Sequence, residues 1–261
     1  QNFLKDKNII KKIINLSKIH NRDVYEIGPG NGALTDEIIK KKPKSLTIIE
    51  KDFDLAEKLK IKYSKNKIIK VYKNDILKFD IESIINQKAL VLGNLPYNIS
   101  SQILVKFLRF KLWPPKFIDL IFMFQKELGE KIIGKFSSTN YGRISILTNY
   151  RLNIINKFLV SPNCFFPKPK VTSMIIQFRP KKQKISLNIN NLEKITQIFF
   201  STKRKMINKN IHRLLGKNKA DKISNLNVNL RPSDIQPEIY YKITKLYEKS
   251  WSFLFLEFDI I

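Results

Sequence analysis

Short apolar runs alternate with helically spaced stretches along the first two thirds of the chain. Val24-Tyr25-Glu26-Ile27, Leu46-Thr47-Ile48-Ile49, Ile68-Ile69-Lys70-Val71-Tyr72, Ala89-Leu90-Val91-Leu92 and residues 117–124 have the length and continuity of strands buried on both faces of a parallel sheet. Ile9, Ile10, Ile13 and Ile14 recur at helical spacing, predicting a helix that ends near Lys18. Further helices are predicted over 33–41, stopped by Pro43, and over 100–110. Residues 152–160 and 173–178 read as a closing pair of strands. Strand, turn and helix in repeated order predict an α/β fold with a Rossmann-like sheet. A polar linker over 181–189 then leads into a helical region reaching about Lys249. The expected domains are 1–182 for the sheet, 183–250 for a small helical domain, and an apolar, acidic tail, 251–261, with no assigned role. No internal repeat is present.

Charge changes the picture most. The 261 residues include 49 basic and 22 acidic ones, a net charge of +27. That excess exceeds what solubility requires and points to a polyanion, with nucleic acid the best fit. No amphipathic helix sets aromatics opposite a basic face, and no stretch is long enough to span a bilayer, so no membrane role is expected. Cys164 is the single cysteine, which excludes an internal disulfide and a thiolate metal site; a reducing, cytoplasmic setting follows as the expectation. The two histidines, His20 and His212, lie far apart, and no metal is expected. Gln1 stands where an initiator Met would, which leaves room for a leader.

Chemistry concentrates at the carboxyl ends of the predicted strands, where open α/β sheets bind ligands. Gly28-Pro29-Gly30-Asn31-Gly32 follows the first strand of the sheet and lets backbone approach a ligand closely. It does not complete Gly-x-Gly-x-x-Gly, which disfavours a pyrophosphate. Glu26, inside the strand end, suits a ligand bearing an amine or positive charge. Glu50, about 20 residues beyond the first glycine, is placed to take both hydroxyls of a ribose. Asp75 follows the third strand and can accept from an adenine amino group. After the fourth strand, Gly93-Asn94-Leu95-Pro96-Tyr97 supplies an amide, a fixed backbone and an aromatic ring. An exocyclic amine on a flat ring needs those parts: the Asn94 oxygen and the Leu95 carbonyl accept its two N–H bonds, Pro96 holds that carbonyl, and Tyr97 stacks. Residues 161–170 present Phe165, Phe166 and Lys168 on a proline-stiffened loop, a combination that suits an unstacked base and its flanking phosphates. One of the two rings is equally suited to the core. Lys203, Arg204 and Lys205 give the helical region a basic face for RNA.

Together QNFLKD, EIGPGNGALT, IEKD, ND at 74 and 75, GNLPYNISS, QKE, YGRISIL and FFPKPKV resemble the small-subunit ribosomal RNA adenine dimethyltransferases of the KsgA type. The matches run in family order from Gln1 to about Arg179, and FFSTKRK extends them weakly. The resemblance implies transfer of two methyl groups from S-adenosylmethionine to N6 of each of two adjacent adenosines near the 3′ end of small-subunit rRNA. It implies that Asn2, Leu4, Gly28, Glu50, Asp75 and Asn94 bind the cofactor. It assigns Asn94, Leu95, Pro96 and Tyr97 to the target adenine, with Phe165 or Phe166 closing on the other face. A monomer acting on the small subunit or its precursor is the expectation. Lys131 stands where the family usually has Arg, Phe136-Ser137 where it has Pro-Gly, and Lys203-Arg204-Lys205-Met206 where it has Arg-Arg-Lys-Thr. These departures keep charge but drop guanidinium forks.

Two other readings are open at this point. The sister family that methylates large-subunit rRNA and confers macrolide resistance shares the Asn-x-Pro-Tyr core, though QKE and YGR favour the small-subunit group. A non-catalytic RNA-binding assembly factor is the third, against which the full set of cofactor positions argues.

Overall fold

The computed structural model describes residues 2–220, 223 and 226–256, with side chains to 249 apart from 219 and 220. It separates into two compact units, Gln1–Gly129 with Leu152–Lys181, and Glu130–Arg151 with Lys182–Ile261. The single boundary expected at 182 therefore omits an excursion: residues 130–151 leave the first unit and pack in the second.

The first unit is built on a seven-stranded sheet. In chain order its elements are β1 (Phe3–Leu4), α1 (Lys7–Ile14), β2 (Asp23–Ile27), α2 (Ala33–Lys40), β3 (Ser45–Glu50), α3 (Phe53–Lys62), β4 (Ile69–Lys73), α4 (Ile81–Ile84), β5 (Ala89–Asn94), α5 (Ser100–Leu108) and β6 (Phe117–Gln125). After the excursion come β7 (Leu152–Val160), β8 (Phe165–Phe166) and β9 (Ser173–Pro180). The sheet order is β4-β3-β2-β5-β6-β9-β7, parallel through β6 and antiparallel beyond it. Helices cover both faces of such a sheet, which is why β5 can read as an unbroken apolar run, Ala89 to Leu92, and be buried throughout. The order reverses between β2 and β5, so the crevice beyond their carboxyl ends is the topological switch point.

Register fixes what meets there. Ile27 pairs with Ile49 on one side and Gly93 on the other, so the next residues, Gly28, Glu50 and Asn94, emerge at one level. At the opposite ends Asp23 pairs with Ser45 and Val24 with Leu90, which brings Arg22, Lys44 and Lys88 to one level before the strands.

Helix α1 starts where Asp6 accepts from the Asn8 and Ile9 amides at 2.9 Å, and it buries Ile10, Ile13 and Ile14. It stops at Ile14 rather than near Lys18, because the following residues are committed elsewhere. The Ser17 hydroxyl donates to Asp119 on β6, and the Leu16 carbonyl accepts from Gln177 on β9. Pairing of β1 with β8 goes beyond anything periodicity predicts: Phe3 lies opposite Phe166 and Leu4 opposite Phe165.

In the second unit the elements are α6 (Lys126–Ile132, entering from the first unit), α7 (Arg143–Arg151), α8 (Ile189–Phe200), α9 (Asn208–Leu215), α10 (Lys217–Ala220) and α11 (Pro237–Leu256). Its core holds Ile146, Leu192, Ile195, Phe199, Ile211, Tyr240 and Ile243. The Tyr141 hydroxyl donates to the Ile235 carbonyl and that of Tyr240 to Pro232. Because α11 continues to Leu256, position 250 is not a break; residues 257–261 of the expected tail lie outside the described residues. Among the described residues no helix is long and apolar enough to cross a membrane.

Candidate active site

A cavity of about 360 Å³ opens at the switch point. Asn2, Leu4, Gly28, Glu50, Asn94, Leu95, Pro96 and Tyr97 all line it, so one space brings together most of the residues that the sequence singled out.

The glycine loop forms its floor. Gly28 and Gly30 have φ of +63° and +59°, in the left-handed region that favours glycine. A Cβ on Gly28 would point at the Asn94 carbonyl, 3.5 Å away, and one on Gly30 would strike the Phe3 ring at 2.7 Å. The missing side chains are thus part of the cavity's shape, as a site that meets its ligand with backbone requires. Glu50 ends β3 beside this loop, buried, with its carboxylate accepting from the Gly30 amide at 3.3 Å and the Asp52 amide at 3.0 Å. Burial pushes its carboxyl above the usual range, offset in part by those amides. These two bonds leave lone pairs on each oxygen for a pair of ribose hydroxyls.

Asn94 ends β5 and faces the loop. Its Nδ2 donates to the Asn2 carbonyl at 3.3 Å, and its Oδ1 accepts from no described residue. The amide is therefore oriented with an acceptor to spare. Tyr97 is half-buried and its hydroxyl lies 2.5 Å from that of Ser173, a buried residue at the start of β9. Tethered at its far end, the ring keeps its orientation; burial also pushes its hydroxyl pKa up.

Three expectations change. Asp75 does not line the cavity. It follows β4, one strand further out than β3, and its carboxylate is taken by Lys51 Nζ and the Leu77 amide, each at 2.9 Å. The hydrogen bond from Lys51 holds its carboxyl below the usual range. Glu26 does not line the cavity: it is 0% exposed, accepts from the Thr35 hydroxyl at 2.6 Å, and has its other oxygen unpartnered. Burial raises its carboxyl pKa to about 7. Phe165 is 1% exposed and belongs to the core beside Leu4, whereas Phe166 is 69% exposed. Alternation along β8 makes that choice, since neighbours on a strand point to opposite sides. Phe166 is the ring free to meet a base, with Lys168 also exposed two residues on. Lys203, Arg204 and Lys205 lie exposed in the turn between α8 and α9 of the second unit.

Sequence reasoning missed Phe3, Asn31 and Asn98 in the cavity lining and the Ser173 tether. Asn31 and Asn98 sit inside the glycine loop and the 93–101 segment, which could have marked them; Phe3 and Ser173 carry no local signal, because their roles depend on pairings across the first unit.

Comparison with known proteins settles the kinship. Residues 1–249 match the family model described as ribosomal RNA adenine dimethylase. The chain belongs to the ribosomal RNA adenine dimethylase family. The relatives of this adenine dimethylase include ribosomal RNA small subunit methyltransferase A of Pelagibacter ubique, 44% identical over 254 residues and 95% of each chain. The protein of that name from Francisella tularensis subsp. novicida is 39% identical, covering 85% of each. Among solved structures, a dimethyladenosine transferase from Plasmodium falciparum superimposes with a TM-score of 0.77 at 24% identity, covering 95% of this chain and 98% of that one. The 23S rRNA methyltransferase ErmE gives 0.68 at 22% identity, covering 94% and 99%. These two likenesses establish that the adenine dimethylase has a Rossmann-like methyltransferase fold.

Proposed function

We infer that this protein uses S-adenosylmethionine to dimethylate N6 of two adjacent adenosines near the 3′ end of small-subunit rRNA, in the cytoplasm and as a monomer. The observation that carries the reading is the Asn94 amide, anchored through Nδ2 with Oδ1 left to accept, between the glycine loop and the tethered Tyr97 ring. The names of the 44% and 39% identical relatives favour the small subunit over the large.

The cavity fits the cofactor on its own terms: its floor has left-handed glycines, with a Cβ on Gly30 striking Phe3 of the lining, and it holds a buried carboxylate with lone pairs to offer hydroxyls. Asn2, Leu4, Gly28, Glu50 and Asn94 would hold it there. Asp75 joins them only if its carboxylate exchanges Lys51 for the adenine amino group. When bound, S-adenosylmethionine supplies a methyl group activated by its sulfonium. The chain's own task is to make adenine N6 nucleophilic, since its lone pair is delocalised into the ring. Asn94 Oδ1 and the Leu95 carbonyl accept hydrogen bonds from the two N6 N–H groups, which favours a pyramidal nitrogen and localises the pair. Tyr97 and Phe166 sandwich the base. The segment 94–97 contains no carboxylate, which suits a proton that leaves only after attack, once the nitrogen has become acidic. Lys168 and the Lys203-Arg204-Lys205 turn take phosphates.

The test is methyl transfer from labelled S-adenosylmethionine to small subunits lacking the modification, with large subunits in parallel. Dimethyladenosine in the small subunit alone is the expected result. Label in the large subunit overturns the substrate assignment, and no label in either, with RNA still bound, overturns the enzymatic one.

A further inference from the structure

The opposite ends of the same strands carry a second concavity, of about 390 Å³, lined by Lys18, Arg22, Lys44 and Lys88 together with Asn21 and Asp23. We propose that this basic edge is a second RNA-binding site, which grips rRNA phosphates remote from the target adenine. The proposal rests on the rRNA reading above.

Three observations carry it. First, the cations are aligned: Arg22, Lys44 and Lys88 stand level on three adjacent strands, and the Lys44 amide donates to the Arg22 carbonyl at 2.9 Å while the Arg22 guanidinium donates to the Lys88 carbonyl at 3.3 Å. Strands lie about 4.8 Å apart, so three long side chains form a row that suits successive phosphates better than one small anion. Second, the row is only partly compensated, by Asp23 beside Lys44. Lys18, Arg22 and Lys88 pair with no carboxylate among the described residues. Asp23 is buried, accepts from the Ser45 hydroxyl at 2.5 Å and lies 3.9 Å from Lys44 Nζ. Third, side chains are kept here where glycine would suit the backbone. Asn21 and Lys88 have φ of +57° and +60°, and Lys42, whose carbonyl accepts from the Asn21 amide, has +51°. Asn tolerates this region, but lysine there is strained, and strained residues cluster at functional sites.

Distance makes the site separate. Strand β5 separates Lys88, just before it, from Asn94 at its far end, a span of about 20 Å. The two openings lie at opposite ends of the strands, so phosphates held here are several nucleotides removed from the target adenine.

The test is binding of Lys18→Gln/Lys88→Gly to unmodified small subunits across a range of KCl concentrations. Glycine at 88 removes the charge and relieves the backbone, so a thermal melt should show a fold at least as stable as the parent. The plot of log affinity against log salt should flatten by about two, close to 0.9 for each phosphate no longer neutralised, with affinity falling at least about tenfold at low salt. Cofactor affinity should not move. Lys18→Gln/Lys44→Gln, which leaves the left-handed backbone alone, should flatten the slope equally. Parent-like slopes from both folded variants overturn the proposal. So does loss of binding to phosphatidylserine vesicles with subunit affinity unchanged, which would make the edge a membrane contact. Methyl transfer by the parent protein reads the rRNA assignment independently: failure there, rather than in the slopes, would refute the function and not the edge.

Discussion

The two ends of β2, β3 and β5 set the same three strands to opposite uses. Beyond the carboxyl ends stand Gly28, Glu50 and Asn94; before the amino ends stand Arg22, Lys44 and Lys88. Both ends contain left-handed backbone, but glycine fills it at one end and Asn or Lys at the other. Where the ligand is met by backbone, a side chain is an obstacle, as the 2.7 Å approach of a Gly30 Cβ to Phe3 shows. Where the ligand is met by charge, the side chain is the contact and the backbone bears the strain. Conformation alone therefore does not identify a site; the residue placed in that conformation tells which part of it is used.

The largest expected effect lies at the carboxyl end. Asn94→Ala removes the acceptor of one N6 proton and should lower kcat about 10²–10³-fold, with fold and subunit affinity retained; single-turnover methylation of unmodified subunits measures it. Near-normal turnover would end the mechanism. Next is Glu26, the buried carboxylate behind the loop. Its pKa is raised to about 7 in the folded chain, against about 4.5 when unfolded. The folded state thus holds a proton that the unfolded state has lost, and stability falls as pH rises from about 4.5 through 7. Glu26→Gln removes this swing of at most about 3 kcal/mol, so its melting temperature should vary less over that window and exceed the parent's at pH 8. Gly30→Ala places a methyl against Phe3 at a left-handed position, and should cost about 2 kcal/mol by denaturant unfolding together with cofactor affinity by calorimetry. Lys88→Gly is the mirror experiment. Relief of strain slightly outweighs the added freedom of the unfolded chain, so it should be neutral or stabilising by about 0.5 kcal/mol. Opposite signs for these last two changes would establish the contrast between the ends; equal signs would dissolve it.

The sheet was legible in the sequence because its central strands are buried on both faces and their apolar runs have few competing explanations, whereas the edge strands β4 and β7 are largely exposed and β4 does not have the two-sided burial its apolar run predicts. The alternation of those runs with helices also placed Gly28, Glu50 and Asn94 near one another, since parallel strands deliver their carboxyl ends to one side. Three things were not legible. The status of Asp75 depends on an ion pair with Lys51, a residue on the neighbouring strand's loop. Glu26 looks in sequence like any strand-end acid, and only the packing of Thr35 over it turns it inward. The choice between Phe165 and Phe166 needed the pairing of β8 with β1, whose partners lie some 160 positions apart. Short strands of two residues leave no periodicity to read.

That pairing has a consequence for how the protein is made. Asn2, Phe3 and Leu4 wall the cavity, yet Phe3 and Leu4 are held by Phe165 and Phe166, and the Lys5 and Asp6 amides by the Cys164 carbonyl. At the ordinary pace of synthesis, about 5–20 residues per second, residues 2–6 wait on the order of ten to thirty seconds after their own synthesis for these partners. The glycine loop and its neighbouring strands can assemble in that interval, but the pocket they floor stays open on one side. Translation itself therefore delays this enzyme's competence until most of the first unit has been synthesised.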